Sequence, residues 1–149
     1  VNGYIYHSLG KGLILKRGIR EERELIHRLD SLGFAVLRAP ASGSRTRLDR
    51  PDILAGRKGF ILAIEVKTSK KATFYIRKES VDQLVRFSGR FGAKPYVAIK
   101  FKHKGLDWFL IEPENLVKTI KGYKVTLNHV KNRGKSLESI VTRSLAEYI

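Results

Sequence analysis

Phe60-Ile-Leu-Ala-Ile-Glu-Val-Lys-Thr-Ser69 is the stretch on which the fold turns. Its Ile, Leu, Ala and Val residues predict a strand over 60–68, and the apolar composition implies a central position in a sheet. Successive strand side chains point to opposite faces, so Glu65 and Lys67 share one face while Ile64 and Val66 share the other. A carboxylate and an ammonium are thereby held side by side on a rigid element. Burying such a pair costs desolvation, and stability alone is a weak reason to keep it. A solvent-facing ion pair on an edge strand is the alternative reading of this short pattern.

The residues just upstream bear on that choice. Pro51-Asp52 opens a short strand over 52–55, and a turn over 56–59 would fold it back on the 60–68 strand as a hairpin, bringing Asp52 toward the Glu65 end. Two carboxylates would then converge. Hard divalent cations take oxygen ligands, and Mg²⁺ in particular uses one or two carboxylates, a backbone carbonyl such as that of Val66, waters and substrate phosphate. Lys67 beside such a metal could orient or help deprotonate a water, or offset phosphate charge. Taken alone, Asp52 also reads as an ordinary turn or cap residue.

Further upstream, Ile19, Leu25, Ile26, Leu29 and Leu32 recur at helical spacing before Gly33, which predicts an amphipathic helix over 19–32. At 100° per residue the apolar direction lies close to Glu22, with Glu21 about 85° and Glu24 about 145° away. An inward-facing carboxylate must be paired or bound to metal. A salt bridge to Arg38 and a role in holding metal or water are the two readings of Glu22. Between the helix and Asp52, the run RAPASGSRTRLDR carries Ser42, Ser44, Arg45, Arg47 and Arg50. Small residues let backbone approach a phosphate and Arg offers bidentate contacts, although a solvated flexible loop fits the same composition.

Outward from these stretches, strands are predicted over 34–38, 74–76, 96–101, 108–111 and 123–127, and helices over 79–91 and 137–148. This order gives one α/β domain, a central mixed sheet flanked by helices. Residues 1–17 lack the apolar core of a signal peptide and are expected to be an N-terminal extension or arm, with the domain proper over 18–149.

Composition narrows the function. The chain has 149 residues, 30 Lys and Arg against 14 Asp and Glu, a formal charge of +16, and no Cys. Thiolate nucleophiles, disulfides and Cys-based zinc sites are excluded. Apolar runs are far shorter than the roughly 20 residues of a membrane span, so no membrane partner is expected. A surplus of this size calls for a polyanion, and Lys and Arg spread along the whole chain favour nucleic acid over an anionic membrane surface. His7, His27, His103 and His129 show no metal-ligand spacing, and neither a P-loop nor GxSxG is present.

Glu22, Pro51-Asp52 and Glu65-Val66-Lys67 together form E…PD…ExK, which resembles the active site of PD-(D/E)xK nucleases. The stretches GIREERELI, LGFAVLRAPASGS, RPDILAG, FILAIEVKTSKK, LVRFSGRFGAKPYVAIKF and DWFLI, in this order, are similar to archaeal-type Holliday junction resolvases. The likeness runs from about Gly18 through the Trp108 strand, and less clearly to the C-terminus. It implies a restriction-endonuclease-like nuclease fold and Mg²⁺-dependent cleavage of four-way junction DNA, with Mn²⁺ as a substitute and no small-molecule cofactor. It implies Glu22 as the helix carboxylate, Asp52, Glu65 and the Val66 carbonyl as metal ligands, Lys67 as active-site lysine and Ser42 as the loop serine near the scissile phosphate. Arg23, Arg38, Ser44, Arg45, Arg47, Arg50, Lys70 and Lys71 are the residues expected on DNA. A homodimer is implied too, with Phe87 and Phe91 at its interface, and two equal sites suit a two-fold substrate. Core packing is the alternative for both Phe side chains. The expected location is the cytoplasm, with the chromosome. Two features depart from the family pattern: the 1–17 arm, and KNRGKS over 131–136, read as a DNA contact or a solvated loop. Rival readings are another branched- or single-stranded-DNA nuclease, a non-catalytic junction binder and an RNA endonuclease.

Overall fold

Helix α1 (Ile19–Ser31) leads into strand β1 (Ala35–Arg38), after which come β2 (Ile53–Arg57), β3 (Phe60–Ser69) and β4 (Thr73–Arg77). These belong to a computed structural model that describes residues 18–39 and 48–146. Helix α2 (Lys78–Phe91) crosses over to β5 (Lys94–Phe101) and β6 (Phe109–Ile111), followed by a 3₁₀ turn (Pro113–Asn115). The chain closes with β7 (Val117–Thr119), β8 (Gly122–Thr126), α3 (Leu127–Arg133) and α4 (Leu137–Ala146).

Five strands form the main sheet in the order β1-β2-β3-β5-β6. The β3–β5 pair is parallel and the others antiparallel, so the sheet is mixed, with β3 in the middle as its apolar sequence demands. The crossover through α2 is what allows β3 and β5 to run parallel. Alternation along the strands splits the core into two. Leu62 and Ile64 of β3 and Tyr96 and Ala98 of β5 meet Leu25 and Leu29 of α1 and Leu137 and Ile140 of α4. On the opposite face Ala63, Val97 and Ile99 meet Val81 and Leu84 of α2 and Ile76, Tyr123 and Val125 from a second sheet. The helix-flanked central sheet therefore matches the sequence reading.

Three details differ from it. The hairpin turn is Lys58-Gly59 alone, with φ 47° and 84°, while Gly56 and Arg57 remain in the ladder opposite Ile61 and Phe60. Two consecutive positive φ values make the primed turn whose twist matches the flanking strands, so the strand runs two residues further than expected. A separate three-stranded sheet, β4-β8-β7, was not anticipated, because β7 is three exposed residues with no apolar alternation. The segment 131–136 is no free loop: Lys131 to Arg133 end α3, and Lys135 exchanges both backbone hydrogen bonds with Leu110 at 2.8 and 2.7 Å. Gly134 makes this path, since a Cβ there would lie 2.5 Å from the Val130 carbonyl oxygen. The arm expected over 1–17 lies outside the described residues, as does the end of the helix expected over 137–148.

Candidate active site

The register of the β2–β3 hairpin builds the site. Ile53 pairs with Ile64, so one step further places Asp52 opposite Glu65. The Asp52 backbone continues the ladder on both sides, donating to the Ile64 carbonyl at 3.0 Å and accepting from the Ala39 N–H at 2.9 Å. Its carboxylate is fixed as well, because Oδ2 accepts from the Val66 N–H at 2.7 Å. On the same face Glu65 is 6% exposed, and its Oε1 lies 3.3 Å from Lys67 Nζ. The pair is thus in the middle strand rather than on an edge. Glu65 Oε2 is buried with no hydrogen-bond partner.

This arrangement is electrostatically unbalanced, with two carboxylates against one ammonium. Burial, and then the neighbouring Asp52 charge, push the Glu65 carboxyl up to about 7, although Lys67 pulls it down. An orphaned buried oxygen and two converging carboxylates are hard donors, and they fit a divalent cation that keeps several waters.

Glu22 stands apart. It projects from α1, which packs on the opposite face of the sheet, and its Oε1 accepts from Arg38 Nε at 2.5 Å. Of the two readings of Glu22, the ion pair is the one seen. Among the described residues no three His, Cys, Asp or Glu side chains lie close enough together to hold a metal, so Glu22 does not join Asp52 and Glu65 in one cluster. Neighbouring carboxylates on the helix tie it to the sheet: Glu21 pairs with Lys102 at 3.0 Å and Glu24 with Lys100 at 3.3 Å. The helical wheel discounts both for lying off the apolar direction, but long lysines on β5 and just beyond it reach past the core to meet them.

The remaining candidates fall around the site. Arg23 is exposed on α1, and Lys70 and Lys71 are exposed on the turn after β3. Arg50 is half-buried just before Pro51. Ser42, Ser44, Arg45 and Arg47 lie outside the described residues. The end of their loop is anchored, because Arg86 of α2 grips Asp49 through two hydrogen bonds of 2.9 and 2.8 Å. That bidentate contact joins residues 37 positions apart, a separation at which sequence carries no local signal. Phe87 and Phe91 stack with ring centroids 5.1 Å apart, Phe87 half-buried against the α2-side core and Phe91 51% exposed.

Residues 14–148 match the family model described as archaeal Holliday junction resolvase (Hjc). The chain belongs to that family. Within it, the crossover junction endodeoxyribonuclease Hjc of Methanocaldococcus jannaschii is 41% identical over 129 residues, covering 83% of this chain and 92% of the relative. The protein of the same name from Archaeoglobus fulgidus is 39% identical over 109 residues, covering 73% of this chain and 78% of the relative. The solved structure of A. fulgidus Hjc, described as a Holliday junction resolvase, superposes with a TM-score of 0.75 at 34% identity, covering 82% of this chain and 98% of that one. The family fold is thus the fold seen here.

Proposed function

We propose that the chain is a metal-dependent endodeoxyribonuclease that resolves four-way DNA junctions by hydrolysing phosphodiesters, working as a homodimer in the cytoplasm with the chromosome. The observation that carries this reading is the Asp52–Glu65–Lys67 cluster, in which a buried carboxylate oxygen has no partner, within a family named for junction resolution. Asp52 and Glu65 are the residues that would hold Mg²⁺ or Mn²⁺, with the Val66 carbonyl as a further donor. When bound, the ion supplies Lewis acidity toward the phosphate and lowers the pKa of a coordinated water.

The chain's own residues do the rest. Asp52 is locked by the Val66 N–H, so its carboxylate is preorganised and costs no reordering when substrate arrives. Lys67 is 31% exposed while Glu65 beneath it is 7% exposed, so the ammonium forms the outer part of the pair, where a phosphodiester would approach. There it offsets phosphate charge. Glu22 is held by Arg38 and, lying outside the Asp52–Glu65 cluster, would reach a metal there only through water. The surplus of cationic side chains binds the junction arms by phosphates and reads shape rather than sequence. The stacked Phe87 and Phe91 rings supply an apolar patch suited to a second copy of the chain, which would present two equal sites to a two-fold junction.

The test is cleavage of a labelled four-way junction, beside duplex, flap and single-stranded controls, with Mg²⁺, with Mn²⁺ and with EDTA. Paired, metal-dependent nicks confined to the junction are expected. Tight, salt-sensitive binding without nicking in any divalent metal would make the protein a non-catalytic junction binder, and preferential cutting of flaps would make it a nuclease of other branched DNA.

A further inference from the structure

Beyond Glu65 and Lys67, β3 runs into the turn 69–72, and its parallel neighbour β5 runs into the turn 102–105. The two turns are joined, since the Lys102 N–H donates to the Ser69 carbonyl at 2.8 Å. The first carries Lys70 and Lys71, the second His103 and Lys104, and all four are exposed. Both backbones are held in shape. Ser69 Oγ accepts from the Lys71 N–H and donates to its carbonyl, each at 3.0 Å. His103 takes the left-handed conformation with φ 61°, rare for a residue with a side chain. Acidic partners are spent elsewhere at this end of the sheet: Glu24 goes to Lys100 and Glu21 to Lys102. Lys70, Lys71 and Lys104 form no ion pair with a described residue.

We propose that these two turns form one ridge that grips the phosphodiester backbone of a DNA arm beyond the scissile phosphate, with the turn 102–105, through His103 and Lys104, as its unassigned half. Three residues of extended chain separate Lys67 from Lys70, about 10 Å, or about three base-pair steps of duplex. The ridge therefore continues the line of the active strand. Its partner is anionic backbone rather than bases, because the turns offer point-charge ammonium groups and no forked or amide readers of a base edge. Lys102 ties the second turn to Glu21, so a phosphate held here also steadies the start of α1, where Glu22 and Arg23 sit. The proposal rests on the reading of the protein as a DNA enzyme and adds a contact that reading does not require.

Junction affinity in EDTA, measured against salt concentration, tests it. Neutralising one phosphate contact lowers the slope of log affinity against log salt by about 0.9. Lys104→Gln is expected to flatten the slope by about one, and Lys70→Gln/Lys71→Gln/Lys104→Gln by between about two and three. For the single variant, the affinity lost between about 50 and about 200 mM salt should shrink roughly threefold. Lys58→Asn removes the same charge at the opposite end of β3, in an exposed turn whose left-handed backbone Asn tolerates, and is expected to leave the slope unchanged. An unchanged slope in Lys104→Gln, or an equal fall in Lys58→Asn, overturns the ridge. Because the ridge reads phosphates, the Lys104→Gln effect must also appear on linear duplex. A protein that binds duplex with this dependence yet never cuts a junction loses the nuclease reading and keeps the ridge, whereas the absence of any salt-dependent DNA binding removes both.

Discussion

Two half-buried carboxylate clusters sit on the same sheet, and their charges are balanced in opposite ways. At one end Glu65 lies beside Asp52 and pairs with Lys67, and the Glu65 carboxyl is driven up to about 7. At the other, Glu112 after β6 meets Lys135 at 2.8 Å, Arg143 at 3.0 Å and Lys94 at 3.7 Å, and also accepts from the Tyr96 hydroxyl at 3.4 Å. There the Lys135 hydrogen bond, aided by the Lys94 charge, holds the Glu112 carboxyl down to about 2. Among the described residues the first cluster has a single paired lysine and an orphaned oxygen, while the second gathers three cations. A site that would take a divalent ion, as proposed for the first, is left incomplete by the protein, whereas a site joining β5, β6, the Lys135 segment and α4 is completed by it.

The sharpest way to separate the two is to neutralise each carboxyl without changing its shape. Glu65→Gln should reduce junction cleavage by about 10³-fold or more, measured under single-turnover conditions, while leaving junction affinity within a few fold. Without metal it should not destabilise the fold. The wild-type Glu65 carboxyl has a folded pKa above its ordinary value of 4.5, so its favourable share of stability is complete below about 4.5 and lost as pH rises through about 7. In EDTA at pH 8, Glu65→Gln should therefore melt at or above the wild-type temperature, and a clearly lower melting point would break the contrast.

Next in size is the proposed dimer, which would supply the second site if two strands are to be cut. Phe91→Asp, at a ring 51% exposed, should weaken self-association by about thirtyfold or more in sedimentation. Paired nicks should then become single ones.

Glu112→Gln should show the reverse of Glu65→Gln: cleavage retained, and unfolding free energy lowered by about 2–3 kcal/mol as charge-assisted bonds to Lys135 and Arg143 weaken. The Glu112 carboxyl has a depressed folded pKa, so its contribution is present above 4.5 and lost as pH falls toward about 2. Wild type should lose stability across that window more steeply than the variant in denaturant titrations. The smallest effect belongs to Arg38→Ala: with Arg38 43% exposed, loss of the Glu22 pair should cost at most about 1 kcal/mol. A stability loss as large as that of Glu112→Gln would place Glu22 with the structural carboxylates.

The contrast between the clusters also marks what the sequence makes legible. Asp52, Glu65 and Lys67 can be found because they lie on two consecutive strands, where period-two alternation and a tight hairpin convert spacing into position. Glu22 can be placed on its helix face and no further, since which side of the sheet α1 covers depends on packing. Glu112 is invisible beforehand: its three cations come from residues 94, 135 and 143, brought together by the sheet's closing elements. The same holds for β7, whose three exposed residues carry no apolar rhythm, and for Lys135, whose run reads as a basic loop but pairs with β6.

That pairing has a consequence for association. A free edge strand is a template on which other chains add, and proteins keep such edges short or covered. By exchanging two hydrogen bonds with Leu110 in the middle of the three-residue β6, Lys135 takes up that rung and puts a charged side chain beside it. Strand-by-strand growth of the folded protein is disfavoured at this rung of the sheet, which leaves helical and apolar surfaces to bring copies together.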